Sequence, residues 1–159
     1  MLRFRKILCP VDFDINSIAA LEIAAELARE RKAVLDVLHV VPIPLGPEVA
    51  IPFDKLEGRA RKRLELLIRR KLDSKLRCAL HVRTGEPANE VIHLAEETGA
   101  DLIVMATHGR TGLSRLVLGS VAETVVREAP CPVLTIKPRA RRRARSAKPT
   151  SARQRSASR

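Results

Sequence analysis

Apolar positions between residues 6 and 137 follow two alternating spacings. Short, nearly unbroken apolar runs occur at KILCPVD (6–12), AVLDVLHVV (33–41) and DLIVMAT (101–107), with CPVLTIK (131–137) closing the series. RCALHVRTG (77–85) alternates apolar with polar residues. Their lengths and β-branched content predict five strands, and the unbroken runs suit the interior of a parallel sheet.

The intervening segments carry helical spacing. From Ile15 to Arg31, the polar positions Glu22, Glu26, Arg29 and Glu30 leave a broad apolar face. A connection holding Pro42, Pro44, Gly46, Pro47 and Pro52 leads to Leu56, Ala60, Leu64 and Leu67, one stripe of a strongly basic helix running to about Lys75. Pro87 suits the first turn of a third helix with Ala88, Val91, Ile92 and Ala95 on its apolar face, and Gly99 suits its C-terminal cap. VAETVVREA (121–129) predicts a fourth.

Strand and helix therefore alternate, and right-handed crossovers turn that order into an α/β fold: a doubly wound parallel sheet with helices on both faces. Ligands in such sheets sit beyond the carboxyl ends of the strands, where the winding reverses. The candidate site is thereby confined to the turn after strand 1 (Pro10–Asp14), the end of strand 2 near Val40, and the loop after strand 4.

Composition refines this picture. A chain of 159 residues accommodates one domain, and with no Trp or Tyr and three Phe its core is aliphatic. The net charge of +12 is uneven: residues 138–159 hold nine Lys or Arg and no acid, leaving 21 basic against 18 acidic residues in 1–137. The expected organisation is a folded domain over 1–137 and a basic tail over 138–159, too poor in large apolar side chains to order itself. Such a tail suits the phosphates of nucleic acid or another acidic partner, but without aromatics it cannot stack bases.

No apolar run approaches the roughly 18 residues needed to span a bilayer. The N-terminal apolar stretch breaks at Pro10 and Asp12, unlike a secretory signal. Cys9, Cys78 and Cys131 lack metal-site spacing and suit reduced thiols of a cytoplasmic protein, Cys9 and Cys131 as small buried hydrophobes. His39, His81, His93 and His108 form no metal-binding pattern.

Chemistry concentrates in MATHGRTGLSRLVLGS (105–120), with glycines 109, 112 and 119, arginines 110 and 115, and no acid. Glycines admit an anion close to backbone N–H groups, and the start of the next helix attracts negative charge. SVAE also reads as a capping box in which Ser120 and Glu123 serve the helix itself. The stretch is no P-loop, for no lysine lies between Asp101 and Arg127.

The run ADLIVMATHGRTGLSRLVLGSVAETVVREAPCPVLTIKP (100–138), with KILCPVDF and LHVV, resembles the universal stress protein family over about residues 3 to 138. The resemblance implies a Rossmann-like five-stranded sheet of order 3-2-1-4-5. It also implies a homodimer through the last strand (Pro132–Lys137) and ATP with Mg2+ as ligand. The nucleotide-binding pattern of the family, G-x2-G-x9-G-[ST], aligns with Gly109, Gly119 and Ser120, with Ala106 replacing its first glycine. By that resemblance Gly109, Gly119, Ser120 and the Val121 N–H meet phosphates, with Arg110 adding charge. Asp12 and Val40 flank base and ribose, and Pro10 and Val11 shape the entrance. The implied function is an ATP-binding regulatory protein of the stress response, at most a weak ATPase. The competing reading is a protein acting through its dimer surface and basic tail.

Overall fold

The computed structural model describes residues 4–43, 52–107 and 118–137. Gly109, Arg110, His108 and the tail over 138–159 lie outside the described residues. Strand and helix alternate as β1 (Lys6–Pro10), α1 (Ile15–Arg31), β2 (Val34–Pro42), α2 (Phe53–Lys71), β3 (Cys78–Gly85), α3 (Pro87–Thr98), β4 (Leu102–Ala106), α4 (Ser120–Glu128) and β5 (Val133–Ile136). All strand pairs are parallel, in the order β3-β2-β1-β4-β5. Cys9 lies opposite Val37, Leu8 opposite Ile103, and Val104 opposite Leu134.

Both sheet faces are dry at the centre. One core packs Ile7, Cys9, Leu35, Val37 and Val104 against Leu21, Ala24 and Ala28 of α1 and Leu64 of α2. The opposite core packs Leu8, Leu38, Ile103 and Met105 against Val91, Leu94 and Ala95 of α3 and Ala122 and Val125 of α4. The sheet-facing side of α1 is largely small, with Ala20, Ala24, Ala25 and Ala28 buried.

Local chemistry sets the helix limits. Asp14 caps α1 by accepting the Asn16 N–H, and Lys32 closes it in the left-handed region at φ 54°. Pro87 occupies the first turn of α3, and Gly99 at φ 63° ends it, as the sequence predicts. Helix α2 stops at Lys71, short of the expected Lys75. Asp73 ends it there, its carboxylate accepting the Lys75 N–H at 2.9 Å and its carbonyl the Leu76 N–H at 3.0 Å, a turn that competes with another helical one.

Burial governs the thiols. Cys9 is wholly buried, and desolvation pushes its thiol far above the ordinary range. Cys78 is pushed up to about 11 by partial burial and then by the negative charge of Asp36.

Packing and thiol burial are each open to measurement. Leu64 alone among the described side chains of α2 is fully buried; Leu64→Ala should cost about 2–5 kcal/mol in urea denaturation, whereas exposed Leu66→Ala should stay within about 0.5 kcal/mol. Cys78 should react with iodoacetamide about tenfold faster per pH unit between pH 8 and 10, following its thiolate fraction, with labelled peptides quantified by mass spectrometry.

Candidate functional site

The central strands β1 and β4 are neighbours, yet the chain leaves them for opposite faces of the sheet, α1 on one and α4 on the other. Their carboxyl ends therefore mark the point where the winding reverses, the place at which open parallel sheets take ligands. Pro10, Val11 and Asp12 lie at the end of β1, Val40 near the end of β2, Ala106 at the end of β4, and Gly119, Ser120 and Val121 where α4 begins. The register brings these eight to one edge of the sheet; Gly109 and Arg110 fall outside the described residues.

The turn after β1 is held by a chain of short-range bonds. The Asp12 N–H donates to Ser17 Oγ at 3.2 Å, and Ser17 Oγ donates to the Asp14 carbonyl at 3.0 Å. Asp12 Oδ1 accepts the Asp14 N–H at 3.0 Å. Between the two aspartates Phe13 takes φ 64°, a left-handed conformation costly for a bulky residue. Its ring lies 4.4 Å from that of His39, and the Arg63 guanidinium sits 4.1 Å over it. The His39 Nδ1–H donates to the Val11 carbonyl at 2.8 Å. The end of β2 and helix α2 thus both brace the turn that carries Asp12.

Just past the end of β4, Thr107 acts as a clasp. Its N–H donates to the Ile136 carbonyl at 3.1 Å, and its own carbonyl accepts the Gly119 N–H at 2.8 Å. The segment that leaves the end of β4 is thereby brought back to it, and α4 starts beside the strand. Thr107 is buried, at 3% exposure. Sequence reasoning passed over Thr107, Phe13 and Ser17, because each acts through local backbone turns and contacts that no motif spacing records.

The capping box expected of Ser120 and Glu123 is absent. Gly119 is the N-cap residue of α4, Ser120 is the first helical residue, and among the described residues no side chain caps the helix. The helix begins one residue early because the Thr107–Gly119 bond fixes Gly119 in extended backbone, at φ −62° and ψ 150°. Glu123 instead donates its N–H to the Gly119 carbonyl at 2.8 Å. The N–H groups of Ser120, Val121 and Ala122 precede the first intrahelical bond, and among the described residues no acceptor meets them. With the helix dipole behind them, N–H groups so placed suit an anion.

Ala106 is an ordinary strand residue opposite Ile136, with no positive φ. Its backbone makes no demand that only glycine meets. Among the described residues no three His, Cys, Asp or Glu side chains converge as metal ligands.

A second polar cluster lies along the edge strand β3. His81 Nε2 stands 2.8 Å from Oδ1 of Asp36, a buried carboxylate on β2. The sequence treats His81 as isolated, since its partner is 45 residues away. Arg83, opposite Val40, pairs with Glu90 at 3.5 Å and doubly with Glu97, whose carboxyl its hydrogen bond and charge hold below the ordinary carboxylate range. Arg83 thus pairs with two carboxylates of α3 and fastens β3 to that helix.

The universal stress protein family model matches residues 3–137. Universal stress protein A homolog 1 of Coxiella burnetii is 37% identical over 144 residues, covering 85% of this chain and 97% of the relative. The solved structure of MJ0577 superposes with TM-score 0.74 at 28% identity, over 87% of this chain and 99% of that one; that protein is a universal stress protein of Methanocaldococcus jannaschii. A universal stress protein from Archaeoglobus fulgidus in complex with dAMP superposes with TM-score 0.60 at 26% identity, over 86% of this chain and 100% of that one.

The uncapped helix start generates a direct test. Ser120→Ala should change stability by less than about 0.5 kcal/mol, where loss of a capping serine would cost about 1 kcal/mol; thermal denaturation followed by far-ultraviolet circular dichroism distinguishes the two.

Proposed function

Because this chain belongs to the universal stress protein family, we propose that it is a cytoplasmic ATP-binding regulatory protein of the stress response, with nucleotide occupancy read out through its dimer or partner state. The observation that carries this reading is the start of α4. Its N–H groups have no acceptor among the described residues and are fixed by the Thr107 clasp beside the end of β4. The dAMP complex of the Archaeoglobus relative supports a purine nucleotide as the ligand class.

In this reading the phosphates lie against the N–H groups of Ser120 and Val121 and the Ser120 hydroxyl, with Gly109 and Arg110 contributing from the glycine-rich segment. Asp12 and Val40 flank ribose and base, and Pro10 and Val11 bound the entrance. The Val11 N–H donates to the Leu38 carbonyl at 2.8 Å, a bond that supports this role. Bound ATP supplies the negative charge that the helix start lacks. The donors fit magnesium only as part of the nucleotide complex: Mg2+ is satisfied by phosphates, waters and one or two carboxylates, and Asp12 is the carboxylate among the site residues. Hydrolysis is at most slow, and binding is the function.

The dimer in this proposal forms through Pro132–Lys137. Strand β5 is an edge of the sheet, and Leu134 on it is 39% exposed, so pairing with a second copy covers both open backbone groups and apolar surface.

Calorimetric titration of Mg·ATP into the full chain tests the reading, since without Trp or Tyr intrinsic fluorescence reports little. One site per chain with micromolar affinity is expected. Gly119→Asp, which places a carboxylate on the same N–H groups, should preserve or raise the melting temperature and abolish the heat of binding. Absence of heat with the folded parent protein, or undiminished binding by the Asp variant, would remove the α4 start from nucleotide binding.

A further inference from the structure

Positive charge in the folded domain is concentrated on one helix. Of the 21 basic and 18 acidic residues in 1–137, α2 holds eight and three, leaving 13 against 15 elsewhere. At 100° per residue, Lys55, Arg59, Lys62, Arg69 and Arg70 share the outward face of α2 with Leu66 and no acid. All five cations are exposed, and none forms an ion pair among the described residues. Arg63 covers Phe13 to the side of this face, and Lys71 pairs with Glu22 on the opposite side of the helix.

Helix stability does not account for the stripe. Cations in the last turn, Arg69 and Arg70, complement the macrodipole, but Lys55 stands in the first turn, where the dipole opposes it. Gly58 is a second observation. Glycine inside a helix costs about 1 kcal/mol relative to alanine, and a Cβ built at Gly58 meets nothing within 4 Å. Packing among the described residues therefore gives no reason for it. On the surface beside Lys55, Arg59 and Lys62, a missing side chain lets a large partner approach the helix backbone closely.

We propose that the outward face of α2 docks the phosphate backbone of duplex nucleic acid without reading its sequence. The stripe from Lys55 to Arg70 extends about 22 Å at 1.5 Å per residue, and a duplex presents one phosphate charge per about 1.7 Å of axis. Arginines at 59, 69 and 70 supply forked donors suited to phosphate oxygens. The face lacks what other acidic partners need. A protein interface centres on apolar or aromatic anchors, whereas Leu66 is the lone large apolar residue here. Membrane insertion needs an apolar helix face, and that of α2 is committed to the sheet through Leu64, Leu67 and Ile68. This proposal stands apart from nucleotide binding.

The test is fluorescence anisotropy of a labelled random-sequence DNA duplex with the full chain at several salt concentrations. The variant K62Q/R69Q/R70Q should reduce the slope of log affinity against log salt by about 0.9 for each phosphate it no longer neutralises and weaken binding at every salt concentration. Gly58→Ala, which keeps every charge, should weaken binding while raising the melting temperature. An unchanged affinity and slope in the triple variant would overturn the proposal by assigning duplex binding to the basic residues of 138–159. Binding of phosphatidylserine vesicles that depends on the same three residues, without duplex binding, would overturn it in favour of a lipid surface.

Discussion

Everything in this fold depends on a sheet whose central strands are dry on both faces. Ile7, Leu8 and Cys9 of β1 and Ile103 and Val104 of β4 are wholly buried. Alternate side chains need apolar cover above and below, and their backbone groups have no water to bond. Parallel neighbours satisfy the backbone, and helices on both faces satisfy the side chains. The chain must then wind to one side from β1 and to the other from β4, and the reversal at their ends follows from that requirement. The placement of these strand ends is a consequence of burial before it is a consequence of any loop sequence.

What the chain reveals on inspection divides along the same line. The five strands, four helices and parallel winding were legible because long apolar runs and helical spacing report burial directly; Pro87 and Gly99 even mark the ends of α3. The strand order 3-2-1-4-5 was legible through resemblance to a family, since alternation alone does not specify it. Less visible were features made by distant backbone groups. The bond from Gly119 to Thr107 shifts the start of α4 by one residue and removes the capping role that SVAE suggests. Asp36 and His81 look unrelated until β2 and β3 pair, and Phe13 gives no sign in sequence of its left-handed backbone.

Charge is handled differently in different parts of the molecule. Along β3 and α3, Arg83 is paired by both Glu90 and Glu97 at the edge of the sheet. At the start of α4 the uncompensated partial charge belongs to backbone groups, so it persists whatever the nearby side chains are. On α2 the uncompensated charge belongs to long side chains facing water. The stack of Arg63 on Phe13 and Phe13 on His39 links this basic helix to the turn bearing Asp12. One guanidinium of a solvent-facing helix thus takes part in bracing that turn.

The parallel pairing of β1 with β4 also governs how the chain reaches this structure. Leu8 finds Ile103 at a separation of 95 residues, and even the nearest pairing, Cys9 with Val37, spans 28. Sheets built from such remote neighbours close slowly, because loop entropy is lost before the pairing repays it. A growing chain completes β1, β2 and β3 well before β4 exists, and until then β1 is an open, apolar edge able to pair with another chain. The strand that leads into the Asp12 turn is therefore the one whose backbone waits longest for its second partner during synthesis.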